Sequence, residues 1–139
     1  MSLADLYRDY HQDVQFAVIY IREAHPTDGW KYGDISTVRD PKTIEERRKL
    51  AGQCSEAMKH GIKTYVDEMD NEVMIRYCAY PERLYLINKD GTVAYHGAPG
   101  PAGFSEQELK EAIEKVLAEE SAPKAAKSDK ADESDESDE

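Results

Sequence analysis

The pattern of apolar and polar positions is clearest at Phe16-Ala17-Val18-Ile19-Tyr20-Ile21, an uninterrupted apolar run. A short run rich in β-branched and aromatic residues predicts a strand, here over 15–22, buried on both faces. Upstream, Leu3, Leu6, Tyr7 and Tyr10 recur at i, i+3, i+4 and i+7, which predicts a short amphipathic helix within 3–13. Periodicity then lapses from Pro26 to Pro41, a stretch rich in Asp, Gly and Thr and about as long as loops run in a compact domain. It returns as a helix from Thr43 to His60. Thr43 with Glu46 forms a capping box, Gly61 is the stop, and Leu50, Cys54 and Met58 stand at core spacing. Lys63 to Val66 predicts a short strand, and Asn71 to Tyr77 a helix burying Met69, Val73 and Tyr77. Arg83–Asn88 and Val93–Gly97 flank Lys89-Asp90-Gly91, a hairpin turn signal. Ser105 with Glu108 caps a last helix that turns Leu109, Ile113, Val116 and Leu117 inward and ends near Glu120.

This order of elements fits one α/β domain over 1–120. From Ser121 onward there is no large apolar residue, and seven acids and three lysines predict a disordered acidic tail over 121–139. Across all 139 residues, 29 acids against 18 bases give a formal net charge of −11. That charge argues against nucleic acid and anionic membrane as partners, since both are negative themselves. No apolar run approaches the roughly 20 residues of a membrane span, and the first residues lack a signal peptide's basic and apolar regions. The cytoplasm is the expected compartment. Two cysteines, Cys54 and Cys78, are too few for a disulfide framework and have no CxxC spacing. His11, His25, His60 and His96 show no ligand spacing, so no metal is expected. The loop 97–104, with three glycines and two prolines, lacks the pattern of a phosphate cradle, and no cofactor is expected.

Chemistry concentrates just past the first strand. Arg22, Glu23, His25, Asp28 and Trp30 follow the apolar run directly. Ligands of open α/β sheets bind beyond the carboxyl ends of parallel strands, so a carboxylate and an imidazole stand where a site would be. A surface Glu and His at a strand end is the plainer alternative.

The wording YIREAHPTDGW, residues 20–30, resembles the signature of the iodothyronine deiodinases and their bacterial relatives, a branch of the thioredoxin-fold superfamily. The similarity recurs at Val66-Asp67-Glu68-Met69-Asp70-Asn71, at Pro81-Glu82-Arg83-Leu84-Tyr85 and at Gly97 to Phe104. It runs collinearly over roughly residues 3 to 118. The resemblance implies a thioredoxin-like mixed sheet with flanking helices. It also implies reductive dehalogenation, in which a selenocysteine or cysteine nucleophile takes the halogen and a proton reaches the ring carbon. By motif, Glu23 and His25 match the Glu and His beside that nucleophile, and His with a carboxylate is a tunable proton donor. Arg83 matches an arginine that points into the site and can pair with a substrate carboxylate. Trp30 is either a wall of the substrate pocket or a loop anchor against the second helix.

The resemblance also marks departures. The family's first strand, which lies between the strands at 16–21 and 83–88, and its nucleophile loop have no counterpart here. The chain is therefore expected to be the downstream part of a longer selenoprotein or cysteine protein. Arg22 stands where deiodinases often have a second acid. The family's substrate-closing histidine aligns with Pro41 or the gap beside it. Cys78 lies where relatives often have glycine, and is either an inert loop thiol or a resolving thiol. Cys54 reads as a small buried hydrophobe. Two functions follow: a deiodinase-like oxidoreductase acting on a halogenated aromatic, a peroxide or a disulfide with a thiol reductant, or a non-catalytic thioredoxin-fold module that binds a ligand or protein. A weaker third is an acidic-tailed partner protein. A homodimer is compatible with any of these.

Overall fold

The computed structural model describes residues 1–29 and 37–122. Trp30 and the tail beyond Ala122 lie outside them. The elements are α1 (Leu3–Tyr10), β1 (Val18–Tyr20), α2 (Ile44–Met58), β2 (Thr64–Val66), α3 (Glu72–Arg76), β3 (Tyr85–Ile87), β4 (Val93–His96) and α4 (Glu106–Ser121). The expected α/β order is met. The mixed strands form two two-stranded ladders. β1 pairs with β2 in parallel, Ile19 opposite Tyr65, and β3 pairs with β4 antiparallel, Leu86 opposite Tyr95.

The main core belongs to one half. Leu6 of α1, Leu84, Leu86 of β3, and Leu109 and Ile113 of α4 are buried together, with Val116 and Leu117 packed against them. The last helix therefore buries the face its spacing predicts. Ser105 Oγ accepts from Glu108 N at 3.2 Å, but the Glu108 carboxylate takes the Tyr95 hydroxyl at 3.0 Å instead of closing the box. α1 has a full capping box that its sequence spacing had not suggested, between Ser2 and Asp5.

The other half departs from expectation. β1 is not buried on both faces: Ile19 is 44% exposed and Tyr65 beside it 47%. The reason is local. α2 covers the opposite face, where Thr64 Oγ1 donates to Ser55 Oγ at 3.3 Å. Cys54 is also exposed, not buried. Three-residue strands span about 10 Å while fifteen helical residues span about 22 Å, so much of α2 has no sheet to lie on. Its buried positions are Arg47 and Ala51. The helix also stops earlier than Gly61, because Lys59 takes the left-handed conformation, φ 50°.

α3 has no buried residue, and Tyr77 is 42% exposed. It is held at its start. The buried Asp67 carboxylate accepts from Val73 N at 3.1 Å and Met74 N at 2.9 Å. Beside it Arg47, 2% exposed, donates to the Asp67 and Glu68 carbonyls at 3.2 and 2.7 Å. Thus a buried cation and a buried anion fix the turn between β2 and α3.

Candidate active site

β1 delivers the chain to Arg22, and the loop that follows is clasped at both ends by charge. Arg22 Nε lies 3.3 Å from Asp40 Oδ2, and Lys42 Nζ reaches both Asp40 and Asp28, at 3.8 and 3.5 Å. Asp28 Oδ1 accepts from Asp40 N at 2.8 Å, and Thr27 N donates to Val38 O at 2.7 Å. The Asp40 N–H donation, with Lys42 and Arg39 behind it, holds the Asp28 carboxyl below the usual range. Arg22 therefore adds no unopposed positive charge, because Asp40 answers it. Pro41, just before α2, is buried.

Glu23 is partly buried beside this clasp. Burial first, and the charge of Asp40 second, hold its carboxyl above the ordinary 4.5. Although the residue as a whole is exposed, partial shielding of its sulfur and then the Glu23 charge push the Cys54 thiol above its ordinary 9.0. Cys54 is thus a neighbour of Glu23, kept as a thiol, with its Sγ 3.7 Å from Met58 Sδ. A carboxyl raised by burial keeps its proton to higher pH than an exposed one. The folded chain holds the Glu23 proton more tightly than the unfolded chain, so ionised Glu23 weakens the fold as pH rises through its folded value. Glu23→Gln should melt above the parent near neutral pH, with the gap closing below about 4.5. Paired thermal melts at both pH values test this; equal midpoints near neutrality would mean that Glu23 feels no burial.

His25 follows at the turn into buried Pro26 and is itself partly buried. Between Glu23 and His25, Ala24 O accepts the Tyr80 hydroxyl at 2.9 Å. Tyr80 stands three residues before Arg83, so this bond seats the arginine's segment against the Glu-Ala-His turn. Arg83 Nε donates to Gly97 O at 2.7 Å and Nη1 to Cys78 O at 3.1 Å. Its guanidinium ties two loops and, among the described residues, pairs with no carboxylate. Gly97 N returns a bond to Leu84 O at 2.9 Å, and Gly100 N to Glu82 O at 2.9 Å, so the loop 97–104 lies along the arginine's own segment. That loop is tight: a Cβ on Gly103 would sit 2.7 Å from the Ala98 carbonyl carbon.

Cys78 is exposed and has φ 46°, the left-handed region where glycine is at ease. Its Sγ lies 3.7 Å from Ile75 O, and its carbonyl serves Arg83. Among the described residues no three His, Cys, Asp or Glu side chains gather to hold a metal ion, and no helix is long and apolar enough to cross a membrane. Reading residues in sequence missed Tyr80 and Asp40. Their signals are faint: an aromatic before Pro81, and an acid two residues from Lys42.

A sequence profile of the iodothyronine deiodinases matches residues 2–117. The chain belongs to the iodothyronine deiodinase family. Thyroxine 5-deiodinases of Rattus norvegicus and Homo sapiens are each 39% identical over 111 aligned residues, covering 76% of this chain and 34% of theirs. That of Sparus aurata is 39% identical over 106 residues, covering 76% of this chain and 39% of its own. This deiodinase-family chain thus spans little more than a third of the length of these relatives.

Proposed function

We propose that this chain carries the proton-delivering and substrate-holding part of a reductive dehalogenation site for an iodothyronine-like or other halogenated aromatic. The observation that supports this most is the Tyr80–Ala24 hydrogen bond, which ties the Arg83 segment to the turn bearing Glu23 and His25. In this reading Arg83 takes a substrate carboxylate, and His25 passes a proton to the ring carbon with Glu23 as its reservoir. A chalcogenide attacks the halogen, and the ring keeps the bonding pair and gains the proton. A thiol reductant then frees halide and restores the chalcogenide while becoming a disulfide. In this reading the chalcogenide is one that these 139 residues do not supply: the raised thiol of Cys54 disfavours its nucleophilic form, and neither Cys54 nor Cys78 stands at the place of the family's nucleophile. The unjoined ladders β1–β2 and β3–β4 agree with a strand supplied between them. The proposed setting is the cytoplasm, where thiol reductants abound.

The purified chain alone should release no iodide from an iodothyronine in the presence of a dithiol, nor reduce a peroxide. Joined to a segment bearing the strand and a selenocysteine or cysteine, it should release iodide. Release by the chain alone that vanishes in Cys78→Ser would overturn this and make Cys78 the nucleophile. A joined protein that binds the aromatic but never turns it over would favour the non-catalytic binding module.

A further inference from the structure

A groove of about 440 Å³ opens where the turn after α1 meets the start of β1, within the size range of sites that take small molecules. Tyr7, Val14 and Phe16, all half-buried, give it an apolar lining, and His11, Asp13 and Lys63, all exposed, stand around it. The Tyr7 ring meets two others: His11, tilted, at 5.3 Å between centroids, and Phe16, edge to face, at 5.7 Å. His11 is fixed in this row because its Nδ1–H donates to the Tyr7 and Arg8 carbonyls at 3.0 and 3.2 Å. Carbonyl oxygens only accept, so Nδ1 carries the ring proton.

The two charges at the groove stand on different elements. Asp13 belongs to the turn after α1, where its N–H donates to Tyr10 O at 3.0 Å. Lys63 belongs to the chain entering β2: its carbonyl accepts from Val18 N at 3.0 Å, and its ammonium lies 5.0 Å from the Tyr65 ring centroid. Among the described residues neither side chain makes an ion pair, with the other or with any third group. A carboxylate and an ammonium that share a groove without meeting suit a ligand that carries the opposite pair.

We infer that this groove is a binding site for a free aromatic α-amino acid, its carboxylate on Lys63, its ammonium on Asp13 and its ring against the Tyr7–Phe16 row. One small zwitterion answers both charges, which neither an aromatic acid nor an aromatic amine can do. Its ring adds a further aromatic contact to a row that already packs edge to face. The site is distinct from the candidate active site: it lies at the amino end of β1, and the Glu23–His25 turn follows the carboxyl end. The inference therefore does not depend on the proposed chemistry. The bound amino acid touches α1 and the chain entering β2 together, so occupancy stabilises the fold.

Isothermal titration of the full chain with L-phenylalanine at low ionic strength tests it, with three analogues that each lack one feature. L-phenylalanine should bind about fivefold more tightly than 2-phenylethylamine, which has no carboxylate, or 3-phenylpropionate, which has no ammonium. L-norleucine, a zwitterion without a ring, should also bind more weakly. Lys63→Gln should erase the difference between phenylalanine and the amine but keep that between phenylalanine and the acid. Asp13→Asn should do the reverse. Both positions are exposed, so thermal melts should show the variants folded, and added phenylalanine should raise the parent's midpoint. Arg83→Lys should bind phenylalanine as the parent does. A parent that binds no phenylalanine overturns the inference, as does binding indifferent to both Lys63→Gln and Asp13→Asn. Binding that is lost in Arg83→Lys and kept in Lys63→Gln overturns it too, and moves the ligand to the candidate active site.

Discussion

Replacing Asp67 by alanine should destabilise the chain by about 3 kcal/mol, because two charge-assisted hydrogen bonds to backbone N–H groups vanish from a buried site. The carboxylate is 2% exposed and serves Val73 N and Met74 N. α3 has only five helical residues, too short to persist without an external hold. Its loss reaches further. The chain leaving α3 offers Tyr77 O to the Tyr85 hydroxyl and Cys78 O to Arg83, and the Tyr77 and Tyr85 rings meet edge to face at 5.0 Å. Asp67→Asn should fall between parent and alanine, since one oxygen remains to accept while the amide nitrogen faces a backbone donor. Urea denaturation measures both. A cost below about 1 kcal/mol for alanine would mean that water replaces the carboxylate readily.

The second large effect is on binding. An iodinated aryl carboxylic acid should bind the chain at least about tenfold more weakly after Arg83→Lys, while the matching amide binds both alike. Arg83 spends its Nε and Nη1 protons on the Gly97 and Cys78 carbonyls, which aims the rest of the guanidinium. A lysine ammonium is a point charge on a flexible stem and cannot hold two carbonyls and a carboxylate in one plane. Isothermal titration with acid and amide separates a lost carboxylate contact from a disordered site. Equal losses for both ligands would assign Arg83 a purely structural role.

How much of this was legible in the sequence varies by residue. The helix at 106–121 was, because Leu109, Ile113, Val116 and Leu117 repeat at a spacing that only a helix makes one-sided. The hairpin was, because Gly91 takes φ 87° between two apolar runs. Cys54 was misread because spacing fixes a face but not what lies opposite it. Leu50, Cys54 and Met58 do share a face, yet three-residue strands leave much of that helix uncovered. Ile19 was misread for the same reason: an apolar run reports suitability for burial and needs neighbours to become buried. At the site, the motif singled out Glu23, His25 and Arg83 along the chain. It could not reveal that Asp40 answers Arg22, or that Tyr80 locks the turns together, since both links cross long stretches of chain.

The split between the two ladders bears on cooperativity. α1, β3, β4 and α4 share one buried cluster, while β1, β2 and α2 rest largely on one another. Each half can open at its own free energy, as separate units of amide exchange do. The Tyr80–Ala24 bond links them, as does Phe16, which leads into β1 and packs against the cluster and the Tyr7 ring. A molecule touching both turns would bind only while both halves are closed, so occupancy would merge two openings into one. In such a protein the same contact that selects a ligand would also decide whether the chain unfolds in one step or two.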